Sequence, residues 1–266
     1  MIKRKLAGTD LELSFLGLGT VKIGRNFRVK NKTPDGFTLP DDKTVSKLFS
    51  LASELGINYI DTAPAYGVSE QRIGKLLANP NDFIISTKVG EYLNSDNSSY
   101  YDYSYSKTIS SVQNSLKTLN KDYLDFVLIH CNADELSYLE DSEVLSALSD
   151  LKLKGDIKYF GASTLSLQAG LLSNKNTDLT MVAFNKDYKD QEAVIDDAKI
   201  LNKGILIKKG MLSGNFSLDQ KQKKNQIRKC IEAVYSKKMV SSLVLGTINQ
   251  KHLEENILLL DKVSKP

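Results

Sequence analysis

Cysteine is nearly absent from this sequence: Cys131 and Cys230 are the two in 266 residues. Two cysteines make no disulfide framework, and the count fits a reducing compartment. Long apolar runs are also missing, since no stretch approaches the roughly 18–20 residues that a membrane-spanning helix needs. The amino terminus, MIKRKLAGTDLELS, carries positive charge with no apolar segment behind it and does not read as a signal peptide. Nor is there an excess of one charge: 36 basic residues face 32 acidic ones, a net +4. The basic residues are scattered, which argues against nucleic acid as a partner. The one local run, Lys221 to Lys224 broken by Gln222, reads as the solvated start of a helix. The expectation is a soluble cytoplasmic protein with no membrane or nucleic-acid partner; no metal site is read from the sequence. Nothing in the sequence speaks to its oligomeric state.

What is present is a large apolar fraction, 41%, arranged in an alternating pattern of elements. Short β-type runs fall at 14–20, 57–62, 82–88, 123–130, 156–163, 179–185, 204–209 and 241–246. Most are continuously apolar, as parallel strands buried on both faces are. Helical patterns lie between them, at 43–55, 69–77, 106–119, 142–154, 165–172, 191–202, 226–237 and 251–263. Periodicity alone fits both a doubly wound open sheet and a barrel, and eight strand–helix pairs favour a (β/α)8 TIM barrel, one domain over 1–266. Upstream of the first strand, a turn at Gly8, Thr9 and Asp10 predicts a β-hairpin closing the bottom of the barrel.

Two connections are long, and both follow strand C-termini, the functional face of such a barrel. Residues 21–42 carry Arg25, Arg28, Lys30 and Lys32 with Pro34 and Gly36, and the arginines suit an anionic group. Residues 89–105 carry Tyr92, Tyr100, Tyr101, Tyr103 and Tyr105, suited to stacking on sugars or aromatic aldehydes. Three apolar runs end in ionisable residues: Asp61, Lys88 and His130. Singly, these read as a helix cap, a surface lysine and a core histidine. Together, at the same end of consecutive strands, they become neighbours, and Tyr66 follows in the loop after Asp61. A phenol at its reference pKa of about 10 is a slow acid at neutrality. A lysine ammonium beside it is expected to lower that pKa, and an aspartate to hold the lysine charged. With a histidine to donate to the same oxygen, this is the equipment for carbonyl reduction by hydride. A Schiff base on Lys88 is the alternative chemistry these residues permit. Cys131, beside His130, reads as a small buried filler.

At these residues the sequence resembles the aldo-keto reductase superfamily. The segment GINYIDTAPAYGVSEQRIGKLL (56–77) carries the resemblance most specifically. IISTKVG (84–90), DFVLIHC (125–131), KGDIKYFGAST (154–164) and VLGTINQKHLEEN (244–256) follow in the family's order. The resemblance implies a barrel and interconversion of aldehydes or ketones with alcohols, using NADPH with NADH possible. Tyr66 would be the proton donor, tuned by Lys88 and Asp61, and His130 would orient the carbonyl. Gly17 and Gly19 are then no dinucleotide-binding glycine loop; Gly19, Thr20 and Val21, with Asp61 and Ser163, would line the nicotinamide end. Lys208 and Lys209 would meet the pyrophosphate or stand as exposed strand-end charges, with Gly210, Leu212 and Gly214 in the adjoining loop. Gly246, Thr247, Asn249, His252, Glu255 and Asn256 would hold the adenosine phosphate and adenine. Departures from the pattern are Thr164 for an asparagine, Met181 for a glutamine, and His252 where arginine or glutamine is common. The longer carboxyl tail of many relatives is missing, which implies an open pocket. A nucleotide-binding regulatory subunit with little catalysis is the other expectation the family allows.

Overall fold

A β-strand sends successive side chains to opposite faces, so in a closed barrel every second residue points to the axis. The computed structural model describes residues 1–27, 37–140 and 142–265, and it shows that pattern closed on itself. The barrel strands are β1 (Leu16–Gly19), β2 (Tyr59–Asp61), β3 (Ile84–Val89) and β4 (Leu124–His130). They continue as β5 (Ile157–Ser163), β6 (Leu179–Ala183), β7 (Gly204–Lys208) and β8 (Val240–Leu245). Each pairs in parallel with the next, and β8 returns to β1 through Leu243 opposite Leu16. The eight strands expected from the sequence are the eight found, within one or two residues at each end.

Helices follow each strand: α1 (Asp42–Glu54), α2 (Ser69–Leu76), α3 (Tyr105–Leu119) and α4 (Glu143–Lys154). After them come α5 (Leu167–Asn176), α6 (Glu192–Leu201), α7 (Gln220–Tyr235) and α8 (Gln250–Ser264). Two boundaries differ from expectation. The helix expected at 226–237 begins at Gln220, because Asp219 caps it by accepting from the Gln222 amide at 2.8 Å. The one expected at 165–172 begins at Leu167 behind a Ser166 cap and runs to Asn176.

The apolar residues sort into two layers. The outward-facing strand residues and the helices make the large outer core, with Val127, Ile129, Val182 and Ile205 among its fully buried members. Inside the barrel, Tyr59, Phe126, Leu128, Met181 and Leu206 pack together with Leu6, Leu11 and Leu13. Those three leucines belong to the hairpin of Lys3–Lys5 and Glu12–Ser14, which closes the bottom as expected. Gly17 also faces inward: a Cβ there would lie 2.5 Å from the Tyr59 ring, so this glycine makes room for packing.

Continuing the inward alternation toward the strand ends picks out the functional residues. Tyr59 leads to Asp61, Ser86 to Lys88, and Phe126 and Leu128 to His130; Gly161 leads to Ser163 and Leu206 to Lys208. The register keeps these ends together, with Asp61 opposite Ser86, His130 opposite Ser163 and Ala183 opposite Lys208. The five side chains therefore ring the axis above the apolar interior, at the C-terminal mouth.

Candidate active site

The centre of the mouth is a buried ion pair. Lys88 Nζ lies 2.6 Å from Asp61 Oδ1 and donates to the Thr62 carbonyl at 2.8 Å. Ser86 Oγ donates to the same Asp61 oxygen at 3.0 Å, and the Lys88 side chain is 2% exposed. Burial works against the ammonium, but Asp61 and Tyr66 outweigh it and raise the Lys88 pKa. Lys88 is thus held as a cation, which leaves no free amine for the Schiff-base alternative.

Tyr66 is brought over this pair by a one-turn segment, Pro64–Tyr66, that follows β2. Lys88 Nζ stands 4.8 Å from the centre of its ring, and the His130 ring meets it edge-on at 6.0 Å. Gly67 turns the chain immediately afterwards, with φ of 64°, where any Cβ would overlap the Gly24 carbonyl. Below, Thr20, Thr62 and Ser69 form a buried hydroxyl cluster, with Ser69 Oγ 2.8 Å from Thr20 Oγ1 and Thr20 donating to the Asp61 carbonyl at 2.8 Å. This cluster ties the loops after β1 and β2 together beneath the phenol. The expectation of a lowered phenol pKa is corrected: burial raises the Tyr66 pKa, Lys88 lowers it only in part, and Asp61 pushes it up again. The phenol stays protonated through the neutral range.

On the far side of the mouth, Lys208 Nζ donates to Ser163 Oγ at 2.9 Å. Burial pushes its pKa down to about 8, with Lys209 and Lys88 adding like-charge repulsion. Lys209 is the next residue along and takes the opposite direction, exposed and with φ of 57°. The two adjacent lysines are therefore not a pair: one lies in the mouth, the other at the surface. Thr164 is fully buried and held by the Gln191 amide at 3.1 Å, and Met181 packs in the inner barrel cluster. Met181 lies opposite Ser163 in the strand register, so an apolar thioether stands beside that serine.

The long loops are built differently from expectation. Arg25 is buried and committed internally, donating to the carbonyls of Phe27 and Ala65 and pairing with Glu91 at 3.7 Å. It is not available to an anionic ligand. Arg28, Lys30, Lys32, Pro34 and Gly36 lie outside the described residues. In the second loop, Glu91–Leu93 and Ser99–Tyr101 pair as a small hairpin. Tyr92 is buried against Tyr100, Tyr103 stacks on Tyr138, and Tyr105 donates to Asp150 on the outer surface. Tyr101, opposite Glu91 in the hairpin, stacks on Tyr103 at 6.3 Å and is 43% exposed. Cys131 is buried, as read from the sequence.

A second part of the C-terminal face is a groove between α7 and α8. It encloses a cavity of about 440 Å³ with Ile227 and Leu259 as apolar walls and Lys223, Lys224, Lys251 and His252 as its polar rim. Glu255 and Asn256 also line it, so three of the residues expected from the sequence converge here. Lys223 and Lys224 were not among them. The Asn249 side chain caps α8 by accepting from the His252 amide at 3.1 Å, and Thr247 bonds the Asn249 backbone. Gly246 is exposed, and Gly210, Leu212 and Gly214 lie in the bend after β7, where Leu212, Ser213 and Gly214 all have positive φ. Gly19, Thr20 and Val21 lie at and just past the end of β1, with Gly19 opposite Asp61 in the register. Among the described residues, no helix is long and apolar enough to cross a membrane, and no cluster of three or more ligating side chains is placed to hold a metal.

Comparison with known proteins agrees with this geometry. A solved structure from Pseudomonas aeruginosa, assigned to the aldo-keto reductases, superposes with a TM-score of 0.88 at 37% identity, covering 99% of this chain and 96% of that one. An oxidoreductase of Bacillus subtilis is 34% identical over 171 residues, and the L-galactose dehydrogenase of Arabidopsis thaliana is 33% identical over 174. Each of these two matches covers 62% of this chain, and the chain spans about half the length of either relative (49%). The family model of the aldo/keto reductases matches residues 16–188, a segment that contains Asp61, Tyr66, Lys88, His130 and Ser163. The closed barrel, the residues gathered at its mouth and this match together make the chain a member of the aldo/keto reductase family.

Proposed function

We propose that the protein is an NAD(P)H-dependent oxidoreductase that reduces a small aldehyde or ketone to an alcohol. The observation that carries this reading is the gathering of Tyr66, Lys88, Asp61 and His130 at one end of the barrel, with a hydroxyl donor and an imidazole either side of the same space. When bound, a reduced nicotinamide supplies the hydride. The Tyr66 hydroxyl donates to the carbonyl oxygen, which becomes more basic as the carbonyl carbon is reduced, and gives up its proton there. Lys88 faces the phenolate that this leaves, and Asp61 keeps Lys88 charged and fixed. The apolar barrel interior below the mouth supplies a low-dielectric floor that strengthens these interactions.

The residues present fit such a nucleotide. The α7–α8 groove offers apolar walls for a flat base and a cationic rim for a phosphate, with Glu255 and Asn256 as polar contacts. Ser163 and Lys208, with Gly19, Thr20, Val21 and Asp61, form the ring end of the cofactor site in this reading, and the bend holding Lys209, Gly210, Leu212 and Gly214 flanks the pyrophosphate between. Gly246, Thr247 and Asn249 carry the chain past the adenosine phosphate to His252. Lys223 and Lys224 beside Lys251 and His252 favour NADPH over NADH, because a 2′-phosphate gains charge-assisted contacts that a bare hydroxyl does not. The Lys223→Ala, Lys224→Ala double variant is expected to raise KM for NADPH about tenfold or more and to leave KM for NADH nearly unchanged. Equal changes for both nucleotides would show that the lysines do not read the phosphate. The two buried, unpaired cysteines support a cytoplasmic setting.

The test of the reading is NADPH and NADH consumption with a panel of small aldehydes and ketones, alongside direct nucleotide titration. Turnover of some carbonyl compounds is expected. Tight nucleotide binding without turnover across the panel would favour the regulatory-subunit reading instead.

A further inference from the structure

His130 has a carboxylate neighbour, Glu91. Its Nδ1 lies 2.9 Å from Glu91 Oε2, with the two side chains 19% and 12% exposed. The oxygen approaches off the axis of the ring N–H, a close contact that is not a straight hydrogen bond. Glu91 is aimed there by Gly90, whose φ of 103° bends the chain back after Lys88 and whose missing Cβ leaves room for the Tyr103 ring. Tyr103 in turn donates to the His130 carbonyl at 2.9 Å, which fixes the backbone of the histidine. The other Glu91 oxygen accepts from Ser99 Oγ at 2.7 Å and lies 3.7 Å from Arg25 Nη1. Burial pushes the Glu91 carboxyl up, but His130, Ser99 and Arg25 outweigh it and hold the pKa down at about 2. Glu91 is therefore a carboxylate under all ordinary conditions.

A carboxylate only accepts, so the ring nitrogen facing it carries the proton; a bare Nδ1 would set its lone pair against a charged oxygen. We propose that Glu91 is a positioning residue that fixes the tautomer of His130, so that the neutral ring presents Nε2 as an acceptor and only the imidazolium presents an Nε2–H donor. The proposal deepens the functional reading above and rests on it for the direction in which the site is used. A carbonyl oxygen needs a donor, so His130 assists reduction in its charged form. An alcohol hydroxyl needs an acceptor, which the neutral ring supplies. The groups that set this balance surround the ring: Glu91 at Nδ1 with Arg25 behind it, Lys88 of β3 backed by Asp61, Lys208 of β7, the edge of Tyr66, and Cys131 and Tyr103 alongside. Burial, Lys88 and Lys208 lower the His130 pKa and Glu91 raises it, with the net shift downward. Carbonyl reduction should thus fall as pH rises through this titration, and alcohol oxidation should rise.

The experiment is helped by composition, since His130 and His252 are the two histidines of the chain. Long-range proton–nitrogen correlation spectra of the intact protein report the state of each ring nitrogen, and His252→Asn assigns the pair. In the wild type, neutral His130 is expected to show a protonated Nδ1 and a bare Nε2. In Glu91→Gln the amide can turn its NH₂ toward Nδ1, so the proton should move to Nε2, and the pH dependence of aldehyde reduction between about pH 5 and 8 should flatten. A neutral wild-type ring protonated on Nε2 overturns the proposal, as does a Glu91→Gln variant with unchanged tautomer and unchanged pH profile. The wild-type spectrum decides even if the variant does not fold. Should the tautomer be as stated while no carbonyl compound is turned over, the tautomer inference stands and the functional reading falls.

Discussion

Tyr66→Phe is expected to lower kcat for aldehyde reduction by roughly 10²–10⁴-fold, the usual weight of a positioned general acid, with nucleotide binding retained. Only one atom is lost. The phenyl ring keeps its edge-on contact with His130 and stays under the Lys88 ammonium, so the variant should fold and keep the shape of the mouth. The pH behaviour sharpens the test. Because burial raises the Tyr66 pKa and Asp61 cancels part of the help from Lys88, the phenol remains a proton donor well above neutrality. Any loss of reduction on the alkaline side that belongs to Tyr66 should lie above the ordinary phenol range, separate from the His130 titration on the acid side. Steady-state rates with NADPH, beside a fluorescence titration of the nucleotide, measure both halves. Equal rates in the variant and the wild type would remove Tyr66 from the mechanism.

How much of this site the sequence discloses depends on which part of the barrel is asked. Residues on strands are legible because the two-residue alternation and the run of apolar neighbours fix their direction. Asp61, Lys88 and His130 each end an apolar run, and the inward face on which Phe126 and Leu128 lie leads directly to His130. The same rule separates Lys208 from Lys209, although side by side they look equivalent. Residues off the strands are another matter. Glu91 reaches His130 through a positive-φ bend at Gly90 and a small hairpin, and neither leaves a periodic signal. A glycine directly after the strand that carries Lys88 is the available clue. The tyrosines at 92, 103 and 105 looked like ligand contacts but are consumed by packing and a surface hydrogen bond, because a loop of that length has to bury something of its own. Lys223 and Lys224 read as a solvated helix start because the first turns of α7 carry no apolar stripe. Their place in a groove comes from how α7 meets α8, a fact of tertiary packing. Asp219, as a helix cap, would have placed the start of α7 correctly.

Lys88→Met is expected to cost about 3–5 kcal/mol of folding stability, the usual penalty for removing one partner of a buried ion pair. The charge left behind is the reason. Asp61 would keep the Ser86 hydroxyl at 3.0 Å but lose the ammonium at 2.6 Å, in a site where its side chain is 5% exposed. The freed Thr62 carbonyl would also lose the donor it now has at 2.8 Å. A methionine of similar length fills the space, so little of the cost should come from packing. That separates two explanations of why the pair is there. If it serves stability, the variant combining Lys88→Met with Asp61→Leu should remain well below the wild type in stability. If it serves chemistry, removing both charges should restore much of the lost stability while activity stays absent, because an apolar pair needs no compensation. Denaturant unfolding of the two single variants and the double variant measures the coupling. We expect recovery in the double variant, with the ion pair maintained in this barrel for the proton of Tyr66 and at a net cost to the fold. A double variant no more stable than either single one would assign the pair to the stability of the fold.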